Sequence, residues 1–559
     1  MMNFSDLKYS APDTTAIHDQ LRKIRLRMRM SLSVDGIIKS LHELDSLLRE
    51  LEEKYLISQI NFAKAPNDEY WQLQYESFVR WAPFLKINLQ ETLSILVDHK
   101  LEQDITELVG GTVFTIAKTL LACYGSLISE ELQELVQCRW QYIRIIRELG
   151  LQPRGFARPA YQLRKLLTQP DKERRGNCYK QWVLSFQNRR DELLNLYLRF
   201  LSLLKTIADK TGYARISDYL AKQVYPKNNA GSYQEISFAH ALRKYFLPIQ
   251  HELRSQQALR LGQNNLARYD QWMPTPEGEP IPLPDTNHLD SFKQCINKMF
   301  DADSGFLLAA LDLADHSTAI ENYERTDRNS FHLPVSDLPY LAYCLSPEGY
   351  HIYDILSEAG ALCADTAAFR NRSKLLSWYP DRDIREVCAV AVETLSSDFC
   401  EIFFADYAIQ SYDIQLIYIV QEMMEAAALT LFEQEAFTLS DPDGRSLAEI
   451  WTREELRSGI AGPPWDDAEN FLGGYGFLLH PNLFLQPLQY LTRPKAYIRI
   501  WSFKPFSEQG ARKLGTALSH LLAGDTSTSD RLIQAGFSLP IKDLDLRLAA
   551  FNLVDRLQL

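Results

Sequence analysis

Ile355-Leu356-Ser357-Glu358-Ala359-Gly360-Ala361-Leu362 reads as a helix built around a single carboxylate. Residues 357 and 361 are four apart and share one helix face, with Glu358 beside them. Both face positions are small, a serine and an alanine. A second stretch, Glu386-Val387-Cys388-Ala389-Val390-Ala391-Val392-Glu393-Thr394, begins 29 residues beyond Ser357 and sets two carboxylates two helical turns apart. Just upstream, residues 329–335 and 339–346 are rich in aromatic and branched side chains. They are interrupted by Ser336-Asp337, which predicts two short strands.

Outward from this centre the helical period dominates, and the predicted fold class is mainly α. Residues 13–58 predict one helix, because Ile37, Leu41, Leu44, Leu48, Leu51 and Tyr55 recur at spacings of four and three and form one apolar stripe. Residues 67–100 repeat the pattern through Tyr70, Leu73, Phe78, Trp81, Phe84 and Leu85. Two long helices joined near Ala65-Pro66-Asn67 should pack as an antiparallel hairpin. Further helices are predicted at 103–125, 128–149, 172–213 and 287–301, with Pro153 and Pro159 in the gap after 149. Residues 260–286 form a proline-rich crossing, and residues 459–476 a Gly/Pro-rich interruption. No internal repeat recurs.

A chain of 559 residues, 46% hydrophobic and 24% charged, has the composition and length for a large core. Its net charge of −12 argues against an overall nucleic-acid footprint. The one basic run, Arg22-Lys23-Ile24-Arg25-Leu26-Arg27-Met28-Arg29, reads as a solvated or lobe-contacting helix face. No apolar run approaches the ~20 residues of a membrane span, and residues 1–6 show no leader-like apolar region. Eight cysteines without CxxC pairs predict reduced thiols. The expected location is cytoplasmic, with neither nucleic acid nor membrane as partner.

Four segments carry a family resemblance. They are Asp312-Leu313-Ala314-Asp315-His316-Ser317, Pro339-Tyr340-Leu341-Ala342-Tyr343-Cys344-Leu345-Ser346, the pair of stretches around Glu358 and Glu386, and Asn482-Leu483-Phe484-Leu485-Gln486-Pro487-Leu488-Gln489-Tyr490. Through them, from about residue 13 to 555, the chain resembles the oligoendopeptidase F branch of the thimet oligopeptidase-like zinc peptidases. In that family a His-Glu-x-x-His helix grips zinc with two imidazoles four residues apart, while the Glu polarises the attacking water. In the register of the resemblance Glu358 retains the Glu, but the ligand positions hold Ser357 and Ala361. Glu386 takes the place of the third ligand and Glu393 the place of a carboxylate behind it. Tyr490 matches one of two tyrosines that stabilise the intermediate. The other falls on Gln489, and the family histidine on Asn482, with His480 displaced by two.

The resemblance implies a two-lobed helical ellipsoid with a deep central channel and a small sheet beside the degenerate zinc helix. The N-terminal lobe would span residues 1–205 and the catalytic-like lobe 206–559. Tyr340, Ala342 and Cys344 would flank the channel, with Gly474 and Tyr475 in a loop that touches peptide backbone. Zinc is the family's cofactor. One carboxylate with a serine and an alanine does not hold it, so no metal is expected here.

The implied function is a zinc-less pseudo-peptidase that binds peptides or a partner protein, such as an active member of the same family. The alternative is a residual or repurposed hydrolase using Glu358, Glu386 and Tyr490. A third reading is an assembly protein whose channel is filled by its own side chains. Asp354, Glu358 and Glu386 could also take a hard cation through oxygen. Cys363 and Cys388 should face away from the cleft as buried thiols. A Ser357-based hydrolase lacks an evident histidine partner, since His351 is six residues upstream and His480 remote.

Overall fold

The structure is a computed structural model. It describes residues 3–65, 67–97, 99–152, 155–224, 231–278, 280, 282–283, 288–300, 315–317, 330–342, 352–370, 375–376, 381–462, 472–523 and 528–559. The helices that position the site are labelled in chain order, with shorter ones between them. The N-terminal segment read as one helix is two: α1 (Thr14–Met30) and α2 (Val34–Lys64). Ser33 breaks the run by capping α2, its hydroxyl accepting from Gly36 N. A serine side chain that competes for backbone donors starts a helix better than it continues one. α3 (Glu69–Leu93) is capped by Asp68 and packs against α2 as the expected hairpin. Of the stripe read on α3, Phe78 is buried, but Tyr70, Leu73 and Phe84 are exposed; the buried line runs through Tyr75, Phe78 and Ile87. The segment 103–125 is also divided, into α4 (Glu102–Val109) and α5 (Thr112–Cys123), because Gly110 adopts φ +79°.

α6 (Ser129–Glu148) and α7 (Lys172–Lys210) follow the expected bounds closely. Their apolar faces do not join the N-terminal core. One core gathers residues from Ile17 to Ala117, with Leu375. A second and larger one takes in Ile128, Tyr142, Phe186 and Tyr197 together with the helices of the C-terminal half. Residues 128–205, read in sequence as part of the N-terminal lobe, therefore share their core with the helices that follow.

α8 (Gly231–Arg260) packs along α11 (Ala408–Ala436) at the centre of the larger core. The helical segment Glu401–Ala436 is long and apolar enough to cross a bilayer, but 78% of its most apolar window is buried inside the protein. α9 (Ile352–Arg370) lies against α10 (Arg382–Leu395), and α10 against α13 (Thr492–Trp501). α12 (Gly444–Arg457) packs on α11, and α14 (Asp543–Leu557) covers α8 and α13. A three-stranded sheet in the order β1-β3-β2 sits beside α9. β2 (Ser330–Leu333) and β3 (Leu338–Ala342) are the expected strands, antiparallel with Phe331 opposite Tyr340. β1 (Asp315–Ser317) was not read as a strand and pairs parallel to β3.

The α9–α10 crossing is close because Gly360 has no side chain. A Cβ there would lie 2.9 Å from the Cys388 carbonyl carbon and 3.0 Å from Ala389 Cα.

Candidate functional site

The polar residues of α9 divide into two lines set by the helical repeat. Asp354, Ser357 and Ala361 fall on one face, Glu358 and Asp365 on an adjacent one. Each line meets a different arginine.

The first line meets Arg493, at the start of α13. Its Nη2 donates to Ser357 Oγ at 3.0 Å, to Glu393 Oε2 at 2.6 Å and to Tyr497 OH at 3.3 Å. Its Nη1 lies 3.6 Å from Glu386 Oε2. Glu386 and Glu393, two turns apart on α10, thus face the same guanidinium. Glu393 is wholly buried and also accepts from Tyr497 OH at 2.9 Å and from Gln415 Nε2 at 2.8 Å. Burial raises its pKa above the ordinary carboxylate range, against the pull of Arg493. Burial also opposes the charge on Arg493, but Tyr497, Glu393, Glu386 and Asp354 outweigh it and hold the guanidinium protonated.

The second line meets Arg385, on α10. Its Nε reaches both oxygens of Asp365, at 3.3 and 3.2 Å, and its Nη2 lies 3.3 Å from Glu358 Oε2. Ser330 Oγ on β2 donates to the same Glu358 oxygen at 2.6 Å and accepts from Arg385 at 2.8 Å. Asp365 is fully buried. Asp365, Glu358 and Glu386 overcome the cost of burying Arg385 and raise its pKa.

Ser357, Glu358, Glu386 and Glu393 are therefore brought together, and Ala361 lies buried on the same helix. Tyr490 points elsewhere: its hydroxyl donates to Glu433 Oε1 on α11 at 2.8 Å, and Leu488 N donates to Glu433 Oε2 at 2.7 Å. Burial pushes Glu433 up to about 8. His480 is buried, accepts from Ala157 N at 3.4 Å and packs against Trp451; burial lowers its pKa to about 3. Asn482 is buried beside Gly155. Gly474 has φ +79° and packs against Ala448 and Thr452 of α12, while the Tyr475 ring receives the Arg190 cation at 5.0 Å. Tyr340 is buried against Phe4, with Lys64 over its ring. Ala342 ends β3. Cys344 and His351 lie outside the described residues. Cys363 and Cys388 are buried, and burial pushes the Cys388 thiol up to about 12.

Two neighbouring pockets share Trp272. One, of about 500 Å³, is bounded by Asp354 of α9 and by Ser411, Gln415 and Tyr418 of α11, with Arg158 and Arg164 opposite. Gln415 links this pocket to Glu393. The other, of about 720 Å³, has Tyr179, Trp182 and Trp272 as aromatic walls, with Glu425, Glu455 and His480 among its polar groups.

The donor set does not fit zinc. Ser357, Ala361 and Glu386, which the sequence resemblance set in the register of zinc ligands, offer a hydroxyl, a methyl and a carboxylate, and a guanidinium bonds or faces the two polar ones. A second cation at that place would meet the charge of Arg493. Among the described residues, no three His, Cys, Asp or Glu side chains converge as metal ligands.

Sequence reasoning missed Arg493, Arg385, Ser330, Tyr497 and Gln415. One signal was present. Arginines set among residues of buried character need acid partners, and Arg385 adjoins Glu386 while Arg493 opens an apolar helix. Which acid each one meets depends on how three helices cross.

Comparison with known proteins bears on this arrangement. Residues 4–124 match the Peptidase M3 N-terminal domain. No curated protein sequence matches the chain. Among solved structures, a chain described as an oligoendopeptidase F is 17% identical, with a TM-score of 0.85 over 100% of this chain and 98% of that one. PZ peptidase A, solved with an inhibitor, is 16% identical, with a TM-score of 0.84 over 99% and 98%. A chain described as an oligoendopeptidase F from Bacillus anthracis str. Ames is 14% identical, with a TM-score of 0.84 over 100% and 98%. The fold is thus the largely helical one of the oligoendopeptidase F structures.

Proposed function

We propose that this chain is a zinc-free pseudo-peptidase that binds peptides or a partner protein without hydrolysing them. The carrying observation is Arg493, which supplies a tethered positive charge to Ser357, Glu386 and Glu393. Arginine is permanently protonated and has no vacant orbital, so it balances charge without lowering the pKa of a water or polarising a carbonyl as a metal does. Glu358, the residue that would serve as base, accepts from Ser330 and pairs with Arg385. Its Oε2 is already engaged by a hydroxyl and a guanidinium. The hydrolase alternative also needs Tyr490, whose hydroxyl is bonded to Glu433. Peptide recognition needs shape and hydrogen-bonding groups rather than zinc, and the pocket beside Asp354 and Gln415 adjoins the cluster. An active family member is one candidate partner, and the scattered thiols suit a cytoplasmic setting.

The test is metal content by inductively coupled plasma mass spectrometry on protein purified without chelator or affinity-tag metal, paired with cleavage and binding assays on a peptide library. Substoichiometric zinc, no cleavage and saturable binding are expected. About one tightly held zinc per chain, or cleavage abolished by Glu358→Gln, would overturn the reading.

A further inference from the structure

The C-terminal helix α14 is apolar on two opposite faces. One face, with Leu546, Ala549, Ala550 and Leu553, is buried in the protein. A helix of this kind ordinarily presents charge on its other side. Here that side carries Leu544, Leu548 and Phe551, which are 59%, 40% and 63% exposed. Their spacing of four and three aligns them in one stripe. Isolated surface leucines need no explanation, but a continuous stripe marks a contact surface.

The charges beside the stripe say what covers it. Arg547, Phe551 and Asp555 are successive at four-residue steps, and Arg547 and Asp555 are both exposed. They lie equally far from Phe551 along the helix, at about 6 Å on either side. A two-fold axis passing beside Phe551 at right angles to the helix would set two copies antiparallel. Phe551 would then meet its own counterpart, and Arg547 would stand level with Asp555 of the second copy, twice. Self-complementarity of this kind is what an isologous two-fold interface requires. A heterologous partner would have no need of opposite charges at equal distances from a central aromatic.

We infer that α14 is a self-association surface, pairing antiparallel with α14 of a second copy of this chain about Phe551. One helix of 15 residues covers less than a standard interface, so the dimer is weak, with a Kd of roughly 10–100 µM. The surface is independent of the Arg493 cluster, and its test does not depend on the proposed function.

Sedimentation velocity on the full chain between ~2 and ~200 µM reads the association directly. The wild type is expected to pass from monomer to dimer over that range. Phe551→Asp should abolish the transition. Arg547→Glu and Asp555→Arg should each weaken it at least about tenfold by opposing like charges. The double variant R547E/D555R should restore it, because the pairs are then reversed rather than lost. Circular dichroism spectra and melting curves matching the wild type would exclude misfolding as the cause. Wild type that stays monomeric throughout, single reversals that leave the association unchanged, or a double variant that is not rescued would each overturn the inference. So would a monomer that binds lipid vesicles through the same stripe.

Discussion

Arg493 Nη2 lies 2.6 Å from Glu393 Oε2, and Glu393 is wholly buried, whereas 30% of the arginine side chain remains accessible. The contact ties α13 to α10, and Ser357 adds α9 to the same guanidinium. A metal ion in such a place can be lost to a chelator. A guanidinium on a covalent stem cannot, so its contacts to the three helices would survive chelation.

Replacing Arg493 should therefore destabilise the fold as well as the site. Breaking a buried pair by removing one partner costs about 3–5 kcal/mol, and the arginine's partial exposure places Arg493→Met nearer about 2–4 kcal/mol. Arg493→Lys keeps the charge but loses the fork that serves Ser357, Glu393 and Tyr497 together, for about 1–2 kcal/mol. Urea denaturation gives both values. Midpoints equal to wild type would mean that the guanidinium does not hold the junction.

Glu358→Gln should be mild. Arg385 keeps Asp365, and the amide oxygen still accepts from Ser330, so about 1 kcal/mol is expected. Peptide binding measured by calorimetry should match wild type, with no cleavage of a fluorogenic peptide by either protein. Asp365→Asn at the buried end of the same pair should cost more than Glu358→Gln.

The buried titratable groups set a stability optimum between two slopes. Glu433 is raised to about 8 and Glu425 to about 7 by burial. Their contribution is complete below the unfolded carboxylate value near pH 4.5 and is lost progressively as pH climbs from there through 7 to 8, because over that range the folded protein still holds protons that the unfolded chain has released. His480 acts oppositely. Its folded pKa of about 3 lies below the unfolded value of about 6.5, so its contribution is present above pH 6.5 and is lost as pH falls towards 3. Two carboxylate slopes against one histidine slope place the peak near pH 4.5. Glu433→Gln should flatten the alkaline slope and His480→Gln the acid one, read from melting temperature against pH. Slopes unchanged in both variants would remove these residues from the account.

Gly360→Ala should destabilise despite alanine's better helix propensity. The gain is about 1 kcal/mol, whereas the added methyl meets the backbone of α10 at Cys388 and Ala389. Overpacking against backbone should fall at the upper end of the usual range, about 3 kcal/mol. A melting temperature at or above wild type would show that α9 and α10 can separate at little cost.

The legible part of this protein was local. Helical spacing located α2, α6 and α7, because an amphipathic period is a property of the chain itself. It failed where a single side chain or glycine interrupts a run, as at Ser33 and Gly110. It also failed on α3, where an apolar residue does not announce which side of the helix meets a neighbour. The ladder β1–β3 joins residues 315–317 to 340–342, a pairing that no local pattern encodes.

The candidate site divides the same way. The sequence by itself determined that Ser357 and Ala361 share a helix face beside Glu358, and that Glu386 and Glu393 lie two turns apart, because both are fixed by 3.6 residues per turn. Only the tertiary structure decided that Arg493, 107 residues beyond Glu386, enters between them, and that Tyr490, three residues earlier, turns to Glu433 instead. Those outcomes depend on the angle and separation at which α9, α10, α11 and α13 cross. The crossing is set by packing over the whole core, including the missing side chain of Gly360, and not by any one segment.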